Sequence, residues 1–242
     1  EKAAYDNGFD VDLPFVDPWL PFASSLNPIR VWLGCPEDRL LVVAVSEIRV
    51  LRELADIKPV IGLDLPAGAR GAVGVDAFAE VHLLLRRVMQ LARSLPDAPL
   101  VAFQKRIATL PQTTEVERLV VQRVGQNLFR DSLLDYWEGR CAISGLAVPE
   151  LLRASHIKAW ADCERDEERL DVFNGFLLAA HLDAAFDQGL LTVEENGQLR
   201  ISARLDAHAR QILGLEQAHT VAVRPGHQPY LVWHRSRVWR AA

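Results

Sequence analysis

The residues able to do chemistry lie close together in the second half of the chain. His156 stands near the end of a strand-like run, Asn174 precedes an apolar stretch, and Asp183 and Asp187 follow it. Imidazole is a proton acceptor near neutral pH, and carboxylate oxygens suit hard divalent cations. The four-residue spacing of the aspartates puts them on one face of a helix. His181, two residues before Asp183, projects about 200° away around the same axis. A proton acceptor beside a hard cation is the pairing that phosphodiester hydrolysis requires: the base activates water, and the cation stabilises the charge on the pentacoordinate phosphorus and the leaving oxygen.

Several elements must position these groups. Thr114 can cap a long helix whose first turn carries Glu115 and Glu117, where the helix dipole favours acids. Val116, Val120, Val124 and Leu128 repeat every four residues, and Phe129, Leu133 and Trp137 continue the stripe. Arg123, Gln126 and Arg130 align on the opposite face, either as a solvated surface or as a phosphate-contacting one. Farther on, the pattern predicts a hairpin from strands at Arg140–Ser144 and Leu151–Ile157, turned at Gly145 to Pro149. An acidic loop then leads through Asn174 to an apolar helical stretch ending at Gly189.

These segments quote a known pattern. Cys141-Ala-Ile-Ser-Gly145, Leu152-Arg-Ala-Ser-His-Ile-Lys-Ala-Trp160, Glu168-Arg-Leu-Asp171, Asn174-Gly-Phe-Leu-Leu178 and Asp183-Ala-Ala-Phe-Asp-Gln-Gly189 occur in this order. From about Glu115 to Leu215 the chain resembles the HNH endonucleases of bacterial restriction-type proteins. The resemblance implies an α+β class: a small mixed α/β N-terminal domain, then a ββα-metal nuclease domain with flanking helices. It implies that His156 is the general base and that Asn174 orients that base or supports the metal site. Helix ligands nine and thirteen residues after the Asn fall on Asp183 and Asp187. His181 is the literal third letter of the family name and joins them as a candidate ligand. The implied cofactor is Mg²⁺, or Mn²⁺, and the implied partner is DNA, with Arg123, Gln126, Arg130, Arg153, Lys158 and Arg235 as its contacts.

Two features depart from the family pattern. Ser155 stands where several relatives place a ligand, and Cys141 and Cys163 lack the partners of a zinc knuckle, so no structural zinc is expected. Two other readings are kept: a DNA-binding protein with an inactive HNH-like domain, and an RNA-directed or toxin nuclease.

Composition sets the outer bounds. The chain has 242 residues, half of them apolar and 24% charged, with 14 Gly and 13 Pro, which excludes disorder and low complexity as global descriptions. No apolar run reaches the ~18 residues of a membrane-spanning helix, so no membrane partner is expected. Three scattered cysteines fit a reducing, cytoplasmic setting. The chain opens on Glu1 with no signal-peptide pattern, and an upstream part is expected to be missing. The net charge is −5. Residues 1–100 carry ten basic and fourteen acidic side chains and residues 101–242 seventeen and eighteen, so the second half meets a phosphate backbone more easily.

The expected domains are 1–108 and 109–242, joined by a linker around Thr109–Thr114. The first should contain strands at Ile29–Leu33 and Leu40–Val45, a turn at Gly34 to Asp38, and a helix at Glu47–Leu54. A Gly- and Pro-rich loop from Pro59 to Gly74, with one short strand near Val60, then leads to a helix over about Asp76 to Leu95. It holds no catalytic constellation, and a recognition role, a homodimer contact or a partner subunit is its expected use. Trp19 and Trp32 are core candidates there.

Overall fold

The computed structural model describes residues 1–37, 40–54, 57–110 and 114–242. The chain divides into two compact units, Glu1–Leu95 and Pro96–Ala242.

In the first unit, α1 (Lys2–Asp6) precedes β1 (Val11–Asp12), β2 (Trp19–Ala23), β3 (Arg30–Glu37) and β4 (Leu40–Val45). Then come α2 (Ile48–Glu53), β5 (Gly71–Val75) and α3 (Phe78–Ser94). The strands form one antiparallel sheet in the order β1-β2-β3-β4-β5. The β-branched run of β4 suits its place between two neighbours. α3 buries Val81, Leu84, Leu85, Val88 and Leu91, the helical spacing its sequence shows. Trp19 and Trp32 are buried with Val42, Ala44 and Ala72.

Two expectations fail here, and β2 (Trp19–Ala23) occupies a stretch to which no element was assigned. Gly34, Pro36 and Glu37 continue β3 through a register shift rather than forming a turn, because strands on both sides supply backbone partners; Asp38 lies outside the described residues. The Gly-rich loop hides β5, while the strand expected near Val60 reduces to one bridge, Pro59 to Val73.

The second unit begins earlier than the expected 109. Its first helix, α4 (Ala98–Ile107), packs on α5 (Glu115–Tyr136) and so joins the C-terminal unit. Within the expected linker, residues 111–113 lie outside the described residues. Thr114 Oγ1 accepts from Glu117 N–H while the Glu117 carboxylate accepts from Thr114 N–H, a complete capping box. The buried face of α5 is Gly125, Leu128, Phe129, Ser132, Leu133 and Tyr136. Val116 and Val120, assigned to that stripe from the sequence, are exposed.

Then follow β6 (Leu152–His156), α6 (Asp166–Arg169), β7 (Gly175–Ala179) and α7 (Ala180–Asp187). β8 (Leu191–Val193), β9 (Leu199–Ile201), α8 (Ala207–Ile212) and α9 (Gln228–Arg237) complete the unit. The hairpin is not the expected one. β6 pairs antiparallel with β7, His156 opposite Gly175, and α7 follows directly. Residues 141–144 form a turn instead, in which Cys141 Sγ accepts from Ser144 N–H at 3.4 Å and from Ala179 N–H at 3.2 Å. The run Gly175–Ala179 is buried at every position, so it lacks the alternation that separates a strand from a buried helix.

Candidate active site

His156, at the end of β6, lines a cleft of about 480 Å³ together with Ser155, Arg153, Trp160, Asp183, Asp187 and the C-terminal Trp233, His234 and Val238. Its ring stacks on Phe129 of α5, centroids 3.8 Å apart, and meets the edge of Trp160 at 5.7 Å. Gly175 permits this stack: a Cβ there would come within 2.4 Å of Phe129 Cζ. A second close approach, at Gly125, leaves room for Trp160, whose Cη2 would lie 2.5 Å from an added Cβ.

The tautomer follows from the hydrogen bonds. His156 Nε2 lies 3.0 Å from the carbonyl oxygen of Arg169. A carbonyl only accepts, so Nε2 carries the proton and Nδ1 keeps its lone pair. Nδ1 has no partner among the described residues. Burial lowers the imidazole pKa to about 4, and the Arg169 carbonyl opposes this only in part. The ring is therefore neutral, with an open acceptor, throughout the physiological range.

Asn174 does not touch His156. It is fully buried, and its side chain ties down the loop between β6 and α6. Oδ1 accepts from Lys158 N–H at 2.8 Å, while Nδ2 donates to Lys158 O at 3.1 Å and to Glu168 O at 2.9 Å. Arg169 braces the same loop, donating to the carbonyls of Trp160 and Cys163 and pairing with Asp166. Asn174 thus holds the loop at Glu168, and the next residue, Arg169, supplies the carbonyl that His156 Nε2 meets.

The carboxylates sit on α7 as the four-residue spacing requires. Burial raises the Asp187 pKa to about 6, and the nearby Asp183 carboxylate adds to the rise. Ser155 lies close enough to oppose it slightly, but not in hydrogen-bonding geometry, since its buried Oγ has no partner. No cation is among the groups that shift Asp187. Among the described residues neither carboxylate has a salt-bridge partner, although Arg153 lines the same cleft, and the Ser155 hydroxyl has no acceptor. His181 is exposed and does not line the cleft, which corrects its place in the expected ligand set: two residues along the helix from Asp183, it turns away. Among the described residues no group of three His, Cys, Asp or Glu is arranged to hold a metal.

Four of the expected DNA contacts are bonded internally: Arg153 donates to the neighbouring carbonyls of Glu150 and Leu152 and stays exposed, while the roles of the other three are corrected. Arg130 donates to the carbonyls of Leu152 and Pro149 at 2.8 and 2.9 Å, pinning α5 to the start of β6. Lys158 pairs with Glu168 at 2.9 Å. Arg235 donates to Val193 O at 2.7 Å. Arg123, Gln126 and Arg153 are exposed, and Arg153 lines the cleft. The sequence reading missed Trp160 and Trp233 as cleft walls; position alone could have flagged Trp160, four residues after His156. His234, beside Arg235, is buried, stacked on Phe186 and bonded to Thr192 Oγ1 and Phe186 O.

Burial of three histidines makes this unit acid-sensitive. His156, His227 and His234 each have a pKa lowered to about 4 by burial. Unfolded, they would take up protons near 6.5, so the neutral native forms stabilise the fold fully above that pH. The contribution is lost as pH falls toward 4, at a ceiling of about 3 kcal/mol per histidine. Asp171 and Asp187, both raised, act in the opposite direction over the same range but are fewer. Denaturant unfolding of the full chain should show a lower midpoint at pH 5 than at pH 7.5. An unchanged or higher midpoint would contradict this burial.

The comparisons agree with the geometry. Residues 141–194 match a family model described as HNH endonuclease. No curated protein matches the chain. The matched segment runs from the Cys141 turn through β6, the Asn174 loop and α7 to β8, so it contains His156, Asn174, Asp183 and Asp187. Residues 141–194 of this chain are thus assigned, by that match, to the HNH endonuclease family.

Proposed function

We propose that the protein is a metal-dependent DNA endonuclease that hydrolyses phosphodiester bonds in restriction or defence. One observation carries the reading: a neutral imidazole whose Nδ1 has no partner among the described residues shares a cleft with the carboxylates of Asp183 and Asp187, and no cation is among the groups that shift Asp187. His156 Nδ1 takes a proton from the attacking water. Burial makes it a weak base, so its advantage is availability and fixed aim rather than strength.

Asp183 and Asp187 fit a small hard cation. Mg²⁺ keeps several waters and takes only one or two protein carboxylates, completing its sphere with substrate phosphate, so two ligands are sufficient for Mg²⁺ or Mn²⁺. Such an ion supplies charge stabilisation at the scissile phosphate and leaving oxygen. It would also relieve the repulsion that raises Asp187. Arg153, at the edge of the cleft, and Arg123 and Gln126 on α5 are the exposed groups available to a phosphate backbone. The restriction setting rests on the sequence resemblance. Matched DNA and RNA substrates, incubated side by side with the full chain and Mg²⁺, test the substrate class. Cleavage of DNA is expected; cleavage of RNA alone would replace this reading with an RNA-directed nuclease.

A further inference from the structure

The cleft contains a group that water activation does not use. Trp233 is partly exposed on α9 and faces the same space as His156 and the two aspartates. The chain's other tryptophans are engaged. Trp19 and Trp32 are core residues, Trp137 packs on Tyr136, Phe176 and His227, Trp160 holds His156 and carries Arg169, and Trp239 lies under Arg200. Among the described residues, no ring or cation lies on Trp233.

Its neighbours hold it rigidly. Leu231 is fully buried, His234 stacks on Phe186, and Arg235 is bonded to Val193 O. The helix that carries the indole is therefore fixed, and the ring lines the cleft that His156 shares with the two aspartates. A cleft of about 480 Å³ is within the range of pockets that enclose small ligands, so a base beside the scissile phosphate has room to enter.

We propose that Trp233 is a stacking platform for an unpaired DNA base next to the scissile phosphate, which makes unpaired DNA the preferred substrate class. The inference rests on the DNA-endonuclease reading. Bases in a regular duplex already stack on both neighbours, and extracting one costs a few kcal/mol. A base in a single strand or at a mismatch is extracted at much lower cost. Stacking on an aromatic side chain is worth about 1–3 kcal/mol per base and tolerates any sequence, so the preference should be for local structure rather than for base identity.

The test is binding of labelled DNA to the full chain in EDTA, followed by fluorescence anisotropy. Repulsion from the carboxylates is then common to every arm, and cleavage plays no part. The arms are oligothymidine, a fully abasic strand, a duplex with a central mismatch and a perfect duplex. Wild type should bind oligothymidine and the mismatched duplex more tightly than the perfect duplex. Trp233→Ala should lose about 5- to 150-fold on the two unpaired substrates, with the perfect duplex changed less than about twofold, and Trp233→Phe should recover most of the loss. Wild type should bind the abasic strand about 5- to 150-fold more weakly than oligothymidine, a comparison within wild type that stands even if Trp233→Ala folds poorly. Equal losses on all substrates, or full-strength binding of the abasic strand by wild type, would overturn the stacking inference and leave the endonuclease reading intact. Failure of wild type to bind any of the DNAs would overturn both.

Discussion

Replacing His156 with alanine should lower DNA cleavage by about 10²–10⁴-fold, the contribution of a general base, with DNA affinity held within a few-fold. The geometry gives both halves of this result. The Arg169 carbonyl takes the Nε2 proton, leaving Nδ1 as the acceptor, so truncation deletes the acceptor itself. The exposed cations, Arg123 and Arg153, are unaltered and remain. His156→Ala also leaves a gap against Phe129, so the fold should be checked by thermal unfolding. His156→Gln fills more of that space and still lacks a proton acceptor of comparable basicity. Both variants should be impaired alike. Cleavage within a few-fold of wild type in either would remove His156 from the mechanism.

The second large effect concerns the metal requirement. Asp183→Asn and Asp187→Asn should each raise the Mg²⁺ concentration for half-maximal cleavage by at least about tenfold. Each deletes a unit charge in direct contact distance of a divalent ion, in surroundings where such interactions are worth several kcal/mol. His181→Ala should change it little, since that side chain is exposed outside the cleft. Asp183, in the register the family pattern favours, should have the larger effect. Asp187 provides a second, independent readout. Its raised pKa means that its ionised form is disfavoured in the fold, a penalty absent below 3.8 and complete above about 6. In EDTA at pH 7.5, Asp187→Asn should therefore unfold at a higher temperature than wild type while being the poorer enzyme. A purely structural aspartate would give the opposite sign. If His181→Ala abolishes cleavage and Asp183→Asn is silent, the ligands are the literal His–Asn–His set.

Much of this site was legible from spacing, because the needed information is local. The four-residue interval between Asp183 and Asp187 fixes a shared helix face whatever surrounds it, and the capping box at Thr114 is written in adjacent residues. The strand β7 was not legible. All of its residues are buried, and without alternation only its partner β6, some twenty residues away, decides that it is extended. The same limit applies to the basic residues. Arg130 read as a charge on a helix face and Arg235 as a DNA contact, yet each donates to a carbonyl supplied by a distant segment, and sequence spacing does not reveal such an acceptor. Trp233 enters the cleft only because α9 returns to pack beside β8 and α7. Helix α4 was not foreseen: Pro96 and Pro99 are residues that ordinarily stop a helix but here precede and open one.

The central claim is that this cleft cuts DNA with a divalent cation and His156. The most direct measurement is nicking of supercoiled plasmid by the full chain at neutral pH, with Mg²⁺, Mn²⁺ or EDTA, alongside His156→Ala. Nicked or linear product with either ion, none in EDTA and little from His156→Ala is the predicted result. Intact plasmid in the presence of both ions, from protein that still binds DNA, would contradict it and favour a DNA-binding protein with an inactive nuclease fold.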